Sequence, residues 1–139
     1  MDIYSLDRFL EAQERDYPIA LQEIKNGKKR SHWMWYIFPQ LRGLGRSARA
    51  HAYGIEDIAE ARAYLEHPIL GDRLREITKE FLKHKDKTAY EIFGDIDAMK
   101  LRSSMTLFVA ASSEESVFYK VLECFFDGEF DRETIKFLV

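Results

Sequence analysis

Seven cations, both tryptophans and no carboxylate fall within one stretch of 32 residues, positions 24–55. Lys25, Lys28, Lys29, Arg30, Arg42, Arg46 and Arg49 give this stretch a charge of +7, which leaves −3 − 7 = −10 for the rest of the chain. An even spread of the acidic residues would place about five or six of them here. Four of the seven glycines and two of the four histidines, His32 and His51, lie in the same stretch.

This composition suits an anion. Lys28-Lys29-Arg30 directly precedes the string Ser31-His32-Trp33-Met34-Trp35-Tyr36-Ile37-Phe38-Pro39. If that string is a helix, cationic side chains and unbonded backbone N–H groups converge at its start, where a phosphate could sit. Arg42-Gly43-Leu44-Gly45-Arg46-Ser47 repeats the logic. Its glycines allow close backbone approach, its arginines fork onto phosphate oxygens, and Ser47 can open another helix. Trp33, Trp35 or Tyr36 could stack on a base, and His32 lies among them. The competing reading is plain: a solvated basic face and a tryptophan helix that is simply core.

Other candidates lie outside the stretch. Gln13 falls on an apolar helical stripe, so its amide must bond either to neighbouring backbone or to a ligand. Asp95 and Asp97 flank the start of a helix that carries Lys100, Ser103, Ser104 and Thr106. Capping accounts for Asp97; Asp95, beside Gly94, is a candidate general base or acceptor for ribose hydroxyls. The histidines are too scattered for a local metal site, and no nucleophile elbow, Walker loop or dinucleotide fingerprint is present, so neither metal nor cofactor is expected. Cys124, within Leu-Glu-Cys-Phe-Phe, reads as core packing.

The elements that must position these residues are helical. With 139 residues the chain has the size of one domain, residues 1–139, able to bury a single core without disulfide or metal. Leu6, Phe9, Leu10, Gln13 and Tyr17 form one amphipathic stripe, and Pro18 can open a second helix at a bend. The tryptophan string, apolar all round, is expected in the middle of the fold, capped by Ser31 and ended by Pro39. Asp57 with Glu60, Thr88 with Glu91 and Ser112 with Glu115 read as capping boxes, and Asp97 and Asp131 as further caps. The last helix is expected to run from Thr134 to the final residue and to dock. No stretch alternates between hairpin turns, so the expectation is an all-α domain of about eight helices. No apolar run approaches the ~20 residues of a membrane span, and one cysteine with no leader-like start points to a reducing, cytoplasmic setting.

The string from Lys28 to Gln40, preceded by Arg8-Phe9-Leu10-Glu11-Ala12-Gln13, resembles the bacterial Domain of Unknown Function 1810 family. Ala61-Arg62-Ala63-Tyr64-Leu65, His67-Pro68, Phe93-Gly94, Asp97, Lys100-Leu101 and Ser103 to Phe108 agree with it along the whole chain. The resemblance implies an all-helical fold and carries no activity. A more distant similarity is to the helical NADAR (NAD and ADP-ribose related) N-glycosidases. Their first-helix acid and glutamine and their aromatic-Gly-Asp element would correspond in order to Asp7, Glu11 and Gln13, and to Phe93-Gly94-Asp95 followed by Lys100. The chain departs from them in lacking an Asn-x-Leu-Gly pattern and in carrying the Trp-Met-Trp string.

Together these readings favour a pocket for a small anionic, nucleotide-like or ADP-ribose-type ligand. Lys28, Lys29, Arg30 and Arg46 would hold phosphates; Trp33 or Trp35 would pack on a ring; Gln13, His32 and Lys100 would complete the ligand shell. Asp95, Glu11 or Asp7 would activate water for cleavage of an N-glycosidic bond. Two alternatives use the same residues or none of them: a module for RNA or single-stranded nucleic acid, which the acidic remainder disfavours, and a protein-interaction domain without a small ligand.

Overall fold

A computed structural model describes residues 3–112 and 117–138. Among them are nine helices: α1 Asp7–Lys25, α2 Met34–Ile37, α3 Ala48–Ala52, α4 Ile58–Glu66, α5 Pro68–Leu82, α6 Ala89–Phe93, α7 Asp95–Ala111, α8 Val117–Phe125 and α9 Arg132–Leu138. The described residues hold no strand; one isolated parallel bridge pairs Leu41 with Ile55. The all-α expectation holds.

The centre of the fold is α7, and the tryptophan string lies beside it. Ala98, Leu101, Met105, Leu107 and Phe108 of α7 are wholly enclosed, and the helix packs against α4, α6, α8 and α9. Two of its buried hydroxyls are bonded within the helix: Ser103 donates to the Met99 carbonyl and Thr106 to that of Arg102, whereas the Ser104 hydroxyl, also buried, has no partner among the described residues. The Thr106 hydroxyl also accepts the Asp131 N–H at 2.9 Å, which docks the start of α9. On the other side, α5 packs on α1, α4 and α8.

Several local expectations are met. Ser47 caps α3, Asp57 caps α4 and Asp131 bonds the Thr134 N–H. Thr88 and Glu91 form a full reciprocal capping box. His67 adds a cap that its sequence did not announce: its Nδ1 accepts the Ile69 and Leu70 N–H groups ahead of α5.

Other expectations are corrected. Pro18 lies inside one continuous α1 and bends no pair of short helices. Pro18 and Glu14, whose carbonyl loses its partner, are both exposed, so water can satisfy it. The tryptophan helix is a single turn, Met34–Ile37, capped by no side chain. Phe38, at φ −123° and ψ 74°, has left the helical region that a following proline disfavours, and the helix ends there. Gly94, at φ +81°, and not Asp97, occupies the N-cap of α7. Glu60 completes no box with Asp57; its carboxylate accepts the Glu56 N–H and pairs with Arg8. Cys124 is exposed, because the inner face of α8 is Phe118, Val121 and Leu122, and position 124 turns outward. The Ser112–Glu115 box lies partly outside the described residues, as does the end of the last helix at Val139.

The corner between α4 and α5 is closed at Gly71, where an added Cβ would stand 2.1 Å from the Leu65 carbonyl oxygen. Alanine there would gain about 1 kcal/mol of helix propensity but force apart two backbones, at a cost of about 1–3 kcal/mol or more. Gly71→Ala is therefore expected to lower the urea midpoint with an unchanged slope. A midpoint equal to or above that of the wild type would contradict this packing.

Candidate functional site

A groove of about 930 Å³ is walled by three elements. From α1 come Glu11, Ala12, Arg15, Asp16 and Ile19; from residues 31–36 come Ser31, His32, Trp33 and Tyr36; from α3 and its end come Arg49 and Tyr53. Arg15 Nε stands 3.2 Å from Asp16 Oδ1, and the Tyr36 hydroxyl donates to Asp16. Burial, and then this bond to a carboxylate, push the Tyr36 hydroxyl far above its usual range, so it stays a proton donor. The Tyr36 and Tyr53 rings pack with centroids 5.0 Å apart.

What holds the wall in place is buried polar bonding. Gln13 donates to the Tyr36 carbonyl at 2.7 Å and to the Tyr64 hydroxyl at 3.0 Å, and accepts from Arg73 at 3.3 Å. Its amide is thus bonded within the protein, and Gln13 is a buried residue that does not line the groove. Arg8 donates to the carbonyls of Ala52 and Gly54 on either side of Tyr53. Its guanidinium also meets the buried Glu60 carboxylate at 2.9 Å.

The expected phosphate site ahead of the tryptophan helix already has an anion, and that anion is Glu23. Its Oε1 accepts the Arg30 N–H at 2.8 Å, the Ser31 N–H at 2.9 Å and the Trp33 indole N–H at 2.9 Å. Oε2 accepts the Ser31 hydroxyl at 2.6 Å. Burial alone would raise this carboxyl, but the Ser31 hydroxyl, the two backbone N–H groups and the indole outweigh it and hold Glu23 down to about 2.

The cations are dispersed as well. Lys28 donates to the Glu91 carbonyl. Lys29 is nearly enclosed, pairs with Asp97 at 2.9 Å and lies over the Trp33 ring at 4.9 Å. Arg42 pairs with Glu56. The glycines of the second basic turn serve internal packing: a Cβ on Gly45 would meet the Ala50 Cβ at 2.6 Å, and one on Gly54 the Arg42 Cα at 2.6 Å. Arg30 and Arg46 are exposed outside the groove, as are Asp7 and Asp95.

Of the expected site residues, therefore, Glu11, His32 and Trp33 share the groove. Trp35 and Lys100 meet at a second, much smaller cavity with Gln40 and Tyr53. Gln13, Arg30, Trp33, Asp95 and Lys100 do not converge on one concavity. Tyr36, named from the sequence as a possible stacking ring, and Arg49, counted there among the cations, also line the groove, and Arg15, Asp16 and Tyr53 line it without having been singled out from the sequence. Glu11, Arg15 and Ile19 at i, i+4 and i+8 are a signal that could have revealed its α1 wall, since Ile19 is an exposed hydrophobe on a polar face.

A family model described as "Protein of unknown function (DUF1810)" matches residues 3–138. The chain belongs to this family. A crystal structure of the conserved hypothetical protein Rv1873 from Mycobacterium tuberculosis is 44% identical, covers 97% of this chain and 96% of its own, and superposes with a TM-score of 0.96. No curated protein matches the chain. Neither description names an activity, so the similarity to NADAR N-glycosidases rests on the residues quoted above alone.

In this DUF1810 protein the Glu23 contact is expected to matter to stability. Glu23→Ala should cost about 2 kcal/mol or more at pH 7, since it leaves several donors without their charged acceptor. The folded carboxyl titrates at about 2, below the roughly 4.3 of an unfolded glutamate. Its contribution is therefore complete above that unfolded value and is lost as pH falls toward the folded one. Denaturant unfolding from pH 7 to pH 2 should show wild type and Glu23→Ala converging at the acid end. A gap that stays constant throughout would contradict the assignment.

Proposed function

We propose that the groove binds a phosphate-bearing nucleotide or an ADP-ribose-type small ligand. The observation that carries this reading is the mixture of side chains on one concavity of about 930 Å³: two guanidiniums, two carboxylates, His32 and the half-buried ring of Tyr53, backed by the buried Trp33 and Tyr36. The volume lies within the roughly 300–1,000 Å³ of small-molecule clefts.

Each ligand part has a chemical partner. Arg15 and Arg49 present forked donors for phosphate oxygens. Tyr53, on the rim, offers a ring face for stacking. Glu11 is the groove carboxylate placed to accept ribose hydroxyls or to activate water beside an N-glycosidic carbon, because Asp16 is already engaged by Tyr36 and Arg15. An extended nucleic acid is less well matched, since Lys29 and Arg42 of the basic stretch are paired with carboxylates.

Thermal-shift and tryptophan-emission titrations with AMP, ADP-ribose, NAD and adenosine test the reading. A ligand at 100 times its Kd stabilises by about 2.7 kcal/mol, a shift of several degrees for a domain of this size. Tyr53→Ala and Arg49→Gln are expected to remove the shift, and Lys28→Gln to keep it. If none of the four compounds changes either signal, the reading is wrong.

A further inference from the structure

Beside the groove lies a cavity of about 10 Å³, room for one water-sized atom, lined by Trp35, Gln40 and Lys100 among mostly apolar neighbours. The indole Nε1 of Trp35 is buried and has no hydrogen-bond partner among the described residues. A buried N–H without an acceptor is costly and seldom retained without a use. Two cations lie over the same ring, the Arg49 guanidinium and the Lys100 ammonium, each 5.0 Å from its centroid. One carboxylate, Asp97, serves this neighbourhood, and it is shared. It sits 2.9 Å from Lys29 and 3.7 Å from Lys100, so its closer partner is the other lysine. Lys29 and Lys100 thus share one acid.

We propose that Trp35, Lys100 and Arg49 form an oxyanion subsite, taking one oxygen of a carboxylate or phosphate into the cavity while the two cations meet the rest of the group. The donors fit this chemistry: an indole N–H gives one bond to the inserted oxygen, and ammonium and guanidinium give charge-assisted bonds to its companions. Tyr53 lines both this cavity and the groove, and Arg49 both lines the groove and covers Trp35. The subsite is therefore where the anionic end of a groove-bound ligand would reach, and to that extent the inference rests on the nucleotide-type reading.

Its test does not. Inorganic phosphate and acetate are titrated at constant ionic strength into wild type, Trp35→Phe, Lys100→Gln and Lys28→Gln. Binding is followed by melting temperature in all four and by tryptophan emission where Trp35 remains. Saturable binding is expected in wild type and Lys28→Gln, weakened about tenfold or more in Trp35→Phe and Lys100→Gln. Saturation by phosphate alone assigns a phosphate group, and by acetate alone a carboxylate. The subsite is overturned if neither anion saturates in wild type, or if Trp35→Phe and Lys100→Gln bind as wild type does. Adenosine, which carries no phosphate, reports on the groove by itself, so loss of the subsite and loss of the groove reading give different results.

Discussion

One side-chain amide holds the groove's architecture together. Gln13 lies at the centre of α1, buried, and its hydrogen bonds reach the Tyr36 carbonyl of α2, the Tyr64 hydroxyl of α4 and the Arg73 side chain of α5. Hydrocarbon at this position would leave a buried carbonyl and a guanidinium without partners, so the polar residue is required by its neighbours. Because α2 is only one turn long, it cannot hold Tyr36 by its own backbone bonding. The bond from Gln13 fixes that turn against α1, and with it the two sides of the groove. Arg8, one and a half turns earlier, does the same for Tyr53 by binding the carbonyls on either side of it.

The electrostatics follow a second constraint, that buried or crowded donors find an acceptor inside the chain where one can reach. The segregation into a +7 stretch and a −10 remainder looks in sequence like an open anion site. In the fold it is largely the means by which the two parts adhere. Glu23 closes the turn before Trp33, Asp97 receives Lys29, and Glu56 receives Arg42. Glu23 and Glu56 flank the basic stretch at its two ends, and the Lys29–Asp97 pair joins segments distant along the chain. Trp35 is one place where this internal matching stops, with a buried N–H, two cations over its ring and a small cavity that Trp35 and Lys100 both line.

Some features were legible because they depend on short range. The caps at Ser47, Asp57, Thr88 and Asp131 need only a side chain and an N–H two or three residues on, and all four form. Periodicity identified the helices for the same reason. It failed at Pro18, where exposure relieves a penalty that burial would have enforced, and at the tryptophan string, where ring-rich apolar composition masks a single turn flanked by irregular chain. Cys124 was misplaced because a neighbourhood of apolar residues does not say which of them points inward.

The sequence by itself determined the helical class, most element boundaries, and the concentration of cations and aromatic rings in residues 24–55. It also marked Gln13 as a residue that must be bonded, and Glu11, His32 and Trp33 as site candidates. Only the tertiary structure decided which of these share a surface. That choice turns on contacts between residues tens of positions apart, such as Gln13 with Tyr64 and Lys29 with Asp97. No local pattern encodes them, because packing and charge satisfaction select among many cations and carboxylates that composition alone leaves equivalent.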